Sequence, residues 1–179
     1  MMDSRLMDFY GDETRWFLGE VVDVNDPKEL GRVKVKVFGV YDNIETGDLP
    51  WAQIVVPITQ GVHDGKGQYL GLLEGTQVFG MFLDGKDSQL PMVIGTVPKE
   101  GDKNSKADAN YPHNKVYQTE TGHFKEYDDS TKGRIKEQHR DGTYYEMDSD
   151  GIKIFGNGKV TIEGAAQVEV TAPLVKINS

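Results

Sequence analysis

The sequence predicts an all-β chain in two parts, a small N-terminal barrel followed by a C-terminal series of short repeated strands. Three observations predict it. Short Val/Ile runs alternate with polar residues from Arg15 to Val97 and are divided by turn-forming Asp, Asn, Gly and Pro. No stretch carries the apolar stripe of an amphipathic helix. Beyond Gly151 a branched–polar–branched triplet recurs every seven or eight residues.

Five strands are expected in the first part. Trp16–Val24 points Phe17 and Val21 inward, with Val22 a further candidate, and ends at Asn25-Asp26-Pro27, where proline and the Asx side chains favour a turn. In Gly31–Gly39 the valines 33, 35 and 37 share one face and Arg32, Lys34 and Lys36 the other, the pattern of a strand wet on one side. Leu49–Pro57 is bracketed by prolines, which cannot donate to a ladder and so mark its ends. Thr76–Asp84 and Leu90–Val97 flank a polar Asp84–Asp87 turn and form a hairpin. Five short antiparallel strands in about 85 residues suit a closed barrel of the OB kind.

Residues 98–111 are expected as an exposed linker between this OB domain, residues 1–97 with an N-terminal arm, and a spike-forming part, residues 112–179. Lys99, Glu100, Asp102, Lys103, Lys106 and Asp108 crowd Pro98–Asn110, which holds no large apolar residue. After Tyr111 the chain is expected to meander through Val116–Thr119, His123–Tyr127, Arg134–His139 and Thr143–Met147, separated by Gly- and Asp-rich turns. The triplets follow, with apolar members Ile152 and Ile154, Val160 and Ile162, Val168 and Val170, and Val175 and Ile177. Each triplet has one face it cannot shield itself, and stacking within one chain has only about four triplets to draw on. Identical copies winding together would supply the missing neighbours and hide the strand edges. These eight residues are the expected core of that assembly.

Composition narrows the function. With 20 Lys and Arg against 29 Asp and Glu, the net charge of −9 opposes a nucleic-acid partner. Apolar runs such as Ile54–Ile58 are far shorter than the roughly 20 residues a spanning helix needs. No basic-then-apolar leader is read at Met1–Tyr10. The absence of cysteine removes disulfides and thiolate metal sites and suits synthesis in the cytoplasm.

Several stretches together resemble the N-terminal OB domain of the central baseplate spike of T-even-type contractile-tail phages. They are Arg15–Val22, Asp26–Val35, Leu49-Pro50-Trp51, Pro57-Ile58-Thr59, Glu74–Gly80 and Val93–Thr96. Thr119–Asp129 and His139–Glu146 resemble the start of the spike's β-helical domain, a segment also similar to VgrG-type spikes. The resemblance implies an OB barrel continued by an intertwined trimeric β-helix, hence a homotrimer on the tail axis of a virion. Its expected partners are a ring-shaped tail hub protein at the OB end, a PAAR-like tip protein at the C-terminal end and, transiently, the host outer membrane. A lysozyme domain stands between barrel and helix in the best-known member, and here only Pro98–Asn110 occupies that place. Peptidoglycan cleavage is therefore not carried over. Nor does Asn178-Ser179 complete the His-x-His iron-binding motif found at the tip of some related spikes.

Candidate chemistry is sparse. His63, His113, His123 and His139 lack the i, i+2 or i, i+4 spacing that aims two imidazoles at one metal, although a fold could unite His123 with His139. Asp128-Asp129 and Asp148–Gly151 read as turns, without the oxygen ligands of a calcium loop. Gly61-Val62-His63-Asp64-Gly65-Lys66-Gly67 lacks the Gly-Lys-Ser/Thr ending of a phosphate loop. It is expected as a long mobile loop between the third and fourth strands, where the resemblance places hub or neighbour contacts. No serine lies in a nucleophile elbow. Thus no catalytic residue, metal or cofactor is expected. The competing readings are a monomeric OB-type module for nucleic acid or sugar, an envelope-degrading enzyme, and a spike of a related contractile injection system.

Overall fold

The computed structural model describes residues 14–67, 71–108 and 110–177. The expected N-terminal arm, the leader reading at Met1–Tyr10 and the Asn178-Ser179 reading lie outside the described residues. Two compact units divide at Asp102 and Lys103.

The first unit is a closed barrel of β1 (Arg15–Asp23), β2 (Val33–Val37), β3 (Trp51–Ile54), β4 (Gln77–Phe82) and β5 (Pro91–Thr96), in the order β1-β2-β3-β5-β4. Four pairings are antiparallel, but β3 and β5 run parallel, Gln53 opposite Met92, and this pairing corrects the expectation of a wholly antiparallel set. Local hairpin patterns predict antiparallel neighbours, whereas the closing pair joins strands distant in sequence. A bulge in β1 places Val21 opposite Val35 and Asp23 opposite Lys34, so Val22 is the extra residue. That is why both Val21 and Val22 reach the core.

Phe17, Val21, Val33, Val35, Val37, Tyr41, Leu49, Ala52, Val78, Phe82 and Val93 fill the interior. A buried side chain of this size stabilises by about 1.5–3 kcal/mol. Two glycines make the room. A Cβ on Gly80 would lie 2.3 Å from Met92 O and 2.5 Å from Phe17 Cζ, and one on Gly19 would lie 2.6 Å from Val35 Cγ1. The Phe17 ring therefore occupies the volume Gly80 leaves open, at 4.9 Å from the Phe82 ring.

The outer face of β2 is not wet, contrary to the alternating pattern. Lys34 is only 7% exposed, because the segment after β2 folds back over it. Its Nζ donates to Thr46 O at 3.0 Å and Gly47 O at 2.7 Å, and Lys36 Nζ donates to Ile44 O at 2.5 Å. Each ammonium satisfies carbonyls that have no strand partner, while the aliphatic stem covers apolar surface.

The second unit is an antiparallel meander of β6 (Asn114–Gln118), β7 (Phe124–Asp128), β8 (Arg134–Gln138), β9 (Tyr144–Asp148) and β10 (Gly151–Phe155), paired in chain order. The expected meander is present, with a fifth strand that takes in Ile152 and Ile154. Within the expected linker, Ser105–Asp108 makes a helical turn. Asn114 Nδ2 donates to Lys106 O at 2.9 Å, and Lys106 Nζ stands 4.1 Å from the Phe124 ring centre. Among the described residues beyond Phe155 there is no strand. The chain alone thus does not form the expected β-helix there.

Candidate functional site: interaction surfaces

The surfaces of the barrel begin with a rigid turn. Asp26, its side chain 2% exposed, accepts N–H groups from Lys28, Leu30 and Arg32 and receives the Arg32 guanidinium, whose terminal nitrogen lies 2.6 Å from Oδ1. Arg32 beside it holds the Asp26 carboxyl well below the usual carboxylate range. The turn displays Leu30, 59% exposed, on a backbone whose Lys28, Glu29, Leu30 and Arg32 N–H groups are all held by Asp26. Arg32 and Lys34 also lie over the Trp51 ring, at 5.6 and 5.2 Å. The basic face that an OB barrel could offer a nucleic acid is therefore engaged within the chain. The solvated face expected for Arg32, Lys34 and Lys36 is corrected accordingly.

The expected contact loop lies between β3 and β4, and all of Gly61, Val62, His63, Asp64, Gly65, Lys66 and Gly67 are exposed. Its centre is a miniature hairpin. His63 and Lys66 exchange backbone hydrogen bonds of 3.0 Å across Asp64 (φ 51°) and Gly65 (φ 70°), the positive-φ pair a two-residue hairpin turn requires. Those N–H groups are thus turned on each other, away from any phosphate. A surface the sequence reading missed lies on β1 and β4, where exposed Trp16 stacks on Phe79 at 5.2 Å and Leu18 stands opposite Phe79. Alternation places them outside the barrel. The same count that put Phe17 inside could have found them.

The second sheet carries opposite chemistry on its two faces. One face is ionic. Across it run Glu126, Lys136, Glu146 and Lys153 in one row, and Asp128, Arg134 and Asp148 in another. Glu126, 3% exposed, takes Arg134 at 2.7 Å and Asn114 at 2.9 Å, while Glu146 receives Lys136 at 3.4 Å and Lys153 at 3.6 Å. The other face is largely apolar and exposed, with Lys115, Tyr127, Ile135, Met147 and Ile152 in one row and Tyr117, Lys125, Glu137, Tyr145 and Ile154 in the next.

On that second face a concavity of about 610 Å³ opens between Tyr117, Tyr145, Ile154 and the histidine pair. The fold unites His123 and His139, ring centres 4.4 Å apart, because each closes a hairpin at the same end of the sheet. His139 Nδ1 faces Asp141 Oδ1 at 2.9 Å, and the Thr143 N–H, with His139, holds the Asp141 carboxyl down to about 2. Among the described residues no group of three or more His, Asp or Glu side chains is arranged to hold a metal ion, this pair and Asp141 included. Asp128 and Asp148 accept their own turns' N–H groups, Ser130 at 2.9 Å and Asp150 at 2.9 Å. The triplet residues Ile152, Ile154, Val160, Ile162, Val168, Val170, Val175 and Ile177 are all at least 49% exposed in the single chain.

The closed strand order of the first unit defines an OB-barrel protein. The chain belongs to the family described as the Gp5 N-terminal OB domain, whose model matches residues 32–152, more than half of it. Over 100 residues, 50% of this chain and 17% of the relative, it is 38% identical to the pre-baseplate central spike protein Gp5 of Enterobacteria phage T4. Over 96 residues, 49% of this chain and 23% of the relative, it is 33% identical to protein Gp5 of Vibrio phage KVP40. The chain thus spans less than a quarter of either curated relative. The kinship read from the sequence, and the OB barrel with it, are borne out.

Proposed function

We propose that this chain is a structural central spike of a phage tail baseplate, a virion component that trimerises through its C-terminal triplets and carries no enzymatic activity. The observation that carries the reading is the 38% identity to a pre-baseplate central spike protein. The exposed triplets support it. Eight branched side chains at a seven- or eight-residue spacing, none able to shield itself in one chain, gain their burial from two further copies.

In this role the OB barrels dock to a ring-shaped hub protein, with the 61–67 hairpin among the contacts. The triplets Ile152 to Ile177 form the shared core of an intertwined β-helix. A PAAR-like tip protein caps the far end, and sheath contraction drives the assembly through the host outer membrane. Force passes along the axis because every apolar layer is held by three chains at once. The matched family model is that of an OB domain, which supports a spike that acts mechanically.

Light scattering of the purified protein tests the reading. A mass of three times 20.0 kDa is expected, and a 20.0 kDa monomer at working concentration overturns it. Clearing of a peptidoglycan zymogram would overturn the non-enzymatic part alone.

A further inference from the structure

Two turns at one end of the second sheet differ in what satisfies their backbone. Thr119–His123 leads from β6 to β7, and His139–Thr143 leads from β8 to β9. They abut, since a Cβ on Gly122 would lie 3.9 Å from Arg140 Cβ. In the first turn oxygen atoms accept the N–H groups of Thr119, Gly122 and His123, at 2.8, 3.0 and 3.1 Å.

In the second turn all five N–H groups have an acceptor. Those of His139 and Gly142 donate to Thr143 O and His139 O at 2.8 and 3.0 Å, and that of Thr143 donates to Asp141 Oδ1 at 2.8 Å. The other two donate to imidazole nitrogens: Arg140 N–H to His123 Nδ1 at 3.4 Å, and Asp141 N–H to His139 Nδ1 at 3.3 Å. One turn is thus capped by two histidines, one of which comes from its neighbour.

An imidazole nitrogen accepts a hydrogen bond only while it carries no proton, so both caps require neutral rings with the proton on Nε2. The two rings meet protonation differently. A proton on His139 Nδ1 finds the Asp141 carboxylate at 2.9 Å. A proton on His123 Nδ1 meets the Arg140 N–H, donor against donor, and sets a cation 4.4 Å from the His139 ring, centre to centre. The other titratable groups around the pair are Lys125 from β7, Glu137 from β8, Tyr117 from β6 and Tyr144 and Tyr145 from β9, with Glu120, Arg140 and Asp141 in the turns. Glu137 already accepts the Tyr145 hydroxyl at 2.7 Å.

We propose that His123 and His139 form an acid-released latch. Neutral rings cap the β8–β9 turn and hold the two turns together, and protonation of His123 uncaps Arg140 and lets them part. The caps are complete above the range in which an imidazole gains charge and are lost as pH falls through it, from about pH 8 to about pH 5. The latch lies within the sheet of one chain and does not depend on the spike reading.

Hydrogen exchange of the chain at about pH 8 and about pH 5, corrected for the intrinsic pH dependence of exchange, tests it. Protection of the Arg140 and Asp141 amides should fall on the order of tenfold between the two. The β7–β8 turn at the other end of the sheet is the control and should keep its protection. Its Ser130 N–H donates to Asp128 Oδ1 at 2.9 Å, and that bond holds the Asp128 carboxyl below the usual carboxylate range, so it stays charged throughout. His123→Asn places an oxygen near the position of Nδ1 and cannot gain a charge, so its Arg140 amide should stay protected at the lower pH. If that variant folds poorly, the ring nitrogen shifts of the parent decide, with the His123 proton expected on Nε2 at the higher pH. Protection independent of pH in the parent, a loss of equal size in folded His123→Asn, or a His123 proton on Nδ1 overturns the latch.

Discussion

The Asp26 carboxylate is held by Arg32 through two donors, Nε at 3.0 Å and a terminal nitrogen at 2.6 Å, while it also takes three backbone N–H groups. One acid therefore organises the whole Pro27–Gly31 turn. The guanidinium fork fixes the geometry as well as the charge, and a lysine ammonium would keep the charge but not the bidentate geometry.

Asp26→Asn is expected to lower the urea midpoint at neutral pH, and Arg32→Lys to lower it nearly as far. The pH dependence has a definite sign. Because the Asp26 pKa is depressed in the fold, chiefly by Arg32, its contribution is present above the ordinary value of 3.8 and is lost as pH falls below it. The difference between parent and Asp26→Asn should accordingly shrink below pH 3.8. A difference that holds constant down to pH 2 would show that the charge on Asp26 is not what stabilises the turn.

Tyr41 gives the alkaline counterpart. Burial first, and then the Asp84 charge, push its hydroxyl up to about 12, and its O–H donates to Ser88 O inside the barrel. A raised value means the contribution is full below pH 10 and is lost as pH climbs from 10 toward 12. Tyr41→Phe leaves a buried carbonyl unpaired and should cost about 1–3 kcal/mol at pH 7. Denaturation of both proteins between pH 9 and pH 12 should bring their midpoints together. Parallel curves would rule out Tyr41 as the titrating group.

Gly80→Ala sets a methyl group against Met92 O and the Phe17 ring, at distances no relaxed contact allows. The backbone carbonyl cannot swing away without breaking the β4–β5 ladder. Overpacking of this kind should cost about 1–3 kcal/mol, read as a fall in Tm. The double variant Gly80→Ala with Phe17→Leu should recover part of the loss, since a shorter side chain vacates the same space. No recovery would place the strain wholly in the Met92 carbonyl.

Legibility in the sequence followed the range of the forces involved. Val33, Val35 and Val37 were readable as an inward face because alternation is a local signal, and so were the first four strands of the second sheet. The burial of Lys34 was not, since it depends on residues 44–47 folding back to offer carbonyls, an event that no strand pattern encodes. The parallel β3–β5 pairing escaped for the same reason: its partners are brought together only by closure of the barrel. His123 and His139 met because two turns of similar sequence close hairpins on one edge, a likeness visible in Thr119–His123 and His139–Thr143 but needing the register to become a distance. The exposed apolar face of the meander was hidden by a pattern that alternates correctly while leaving open which side is the inside.

On the proposed shared core, Val168→Asp buries a carboxylate in every copy and should block assembly, a penalty of several kcal/mol per chain. Size-exclusion chromatography should return soluble 20.0 kDa chains whose OB barrel keeps the parent's near-ultraviolet spectrum. An assembly of unchanged mass would put Val168 on the outer surface.

The two units also differ in how far apart in sequence their pairings lie. In the barrel, Arg15 must find Phe82 and Gln53 must find Met92 before the ring closes. In the meander each strand pairs with the next across a turn of a few residues, as Gln118 does with Phe124. Loop closure over long separations is slow and over short ones fast. Of the two units, the meander is therefore expected to reach its pairing the faster once its residues have left the ribosome, although the barrel is made before it.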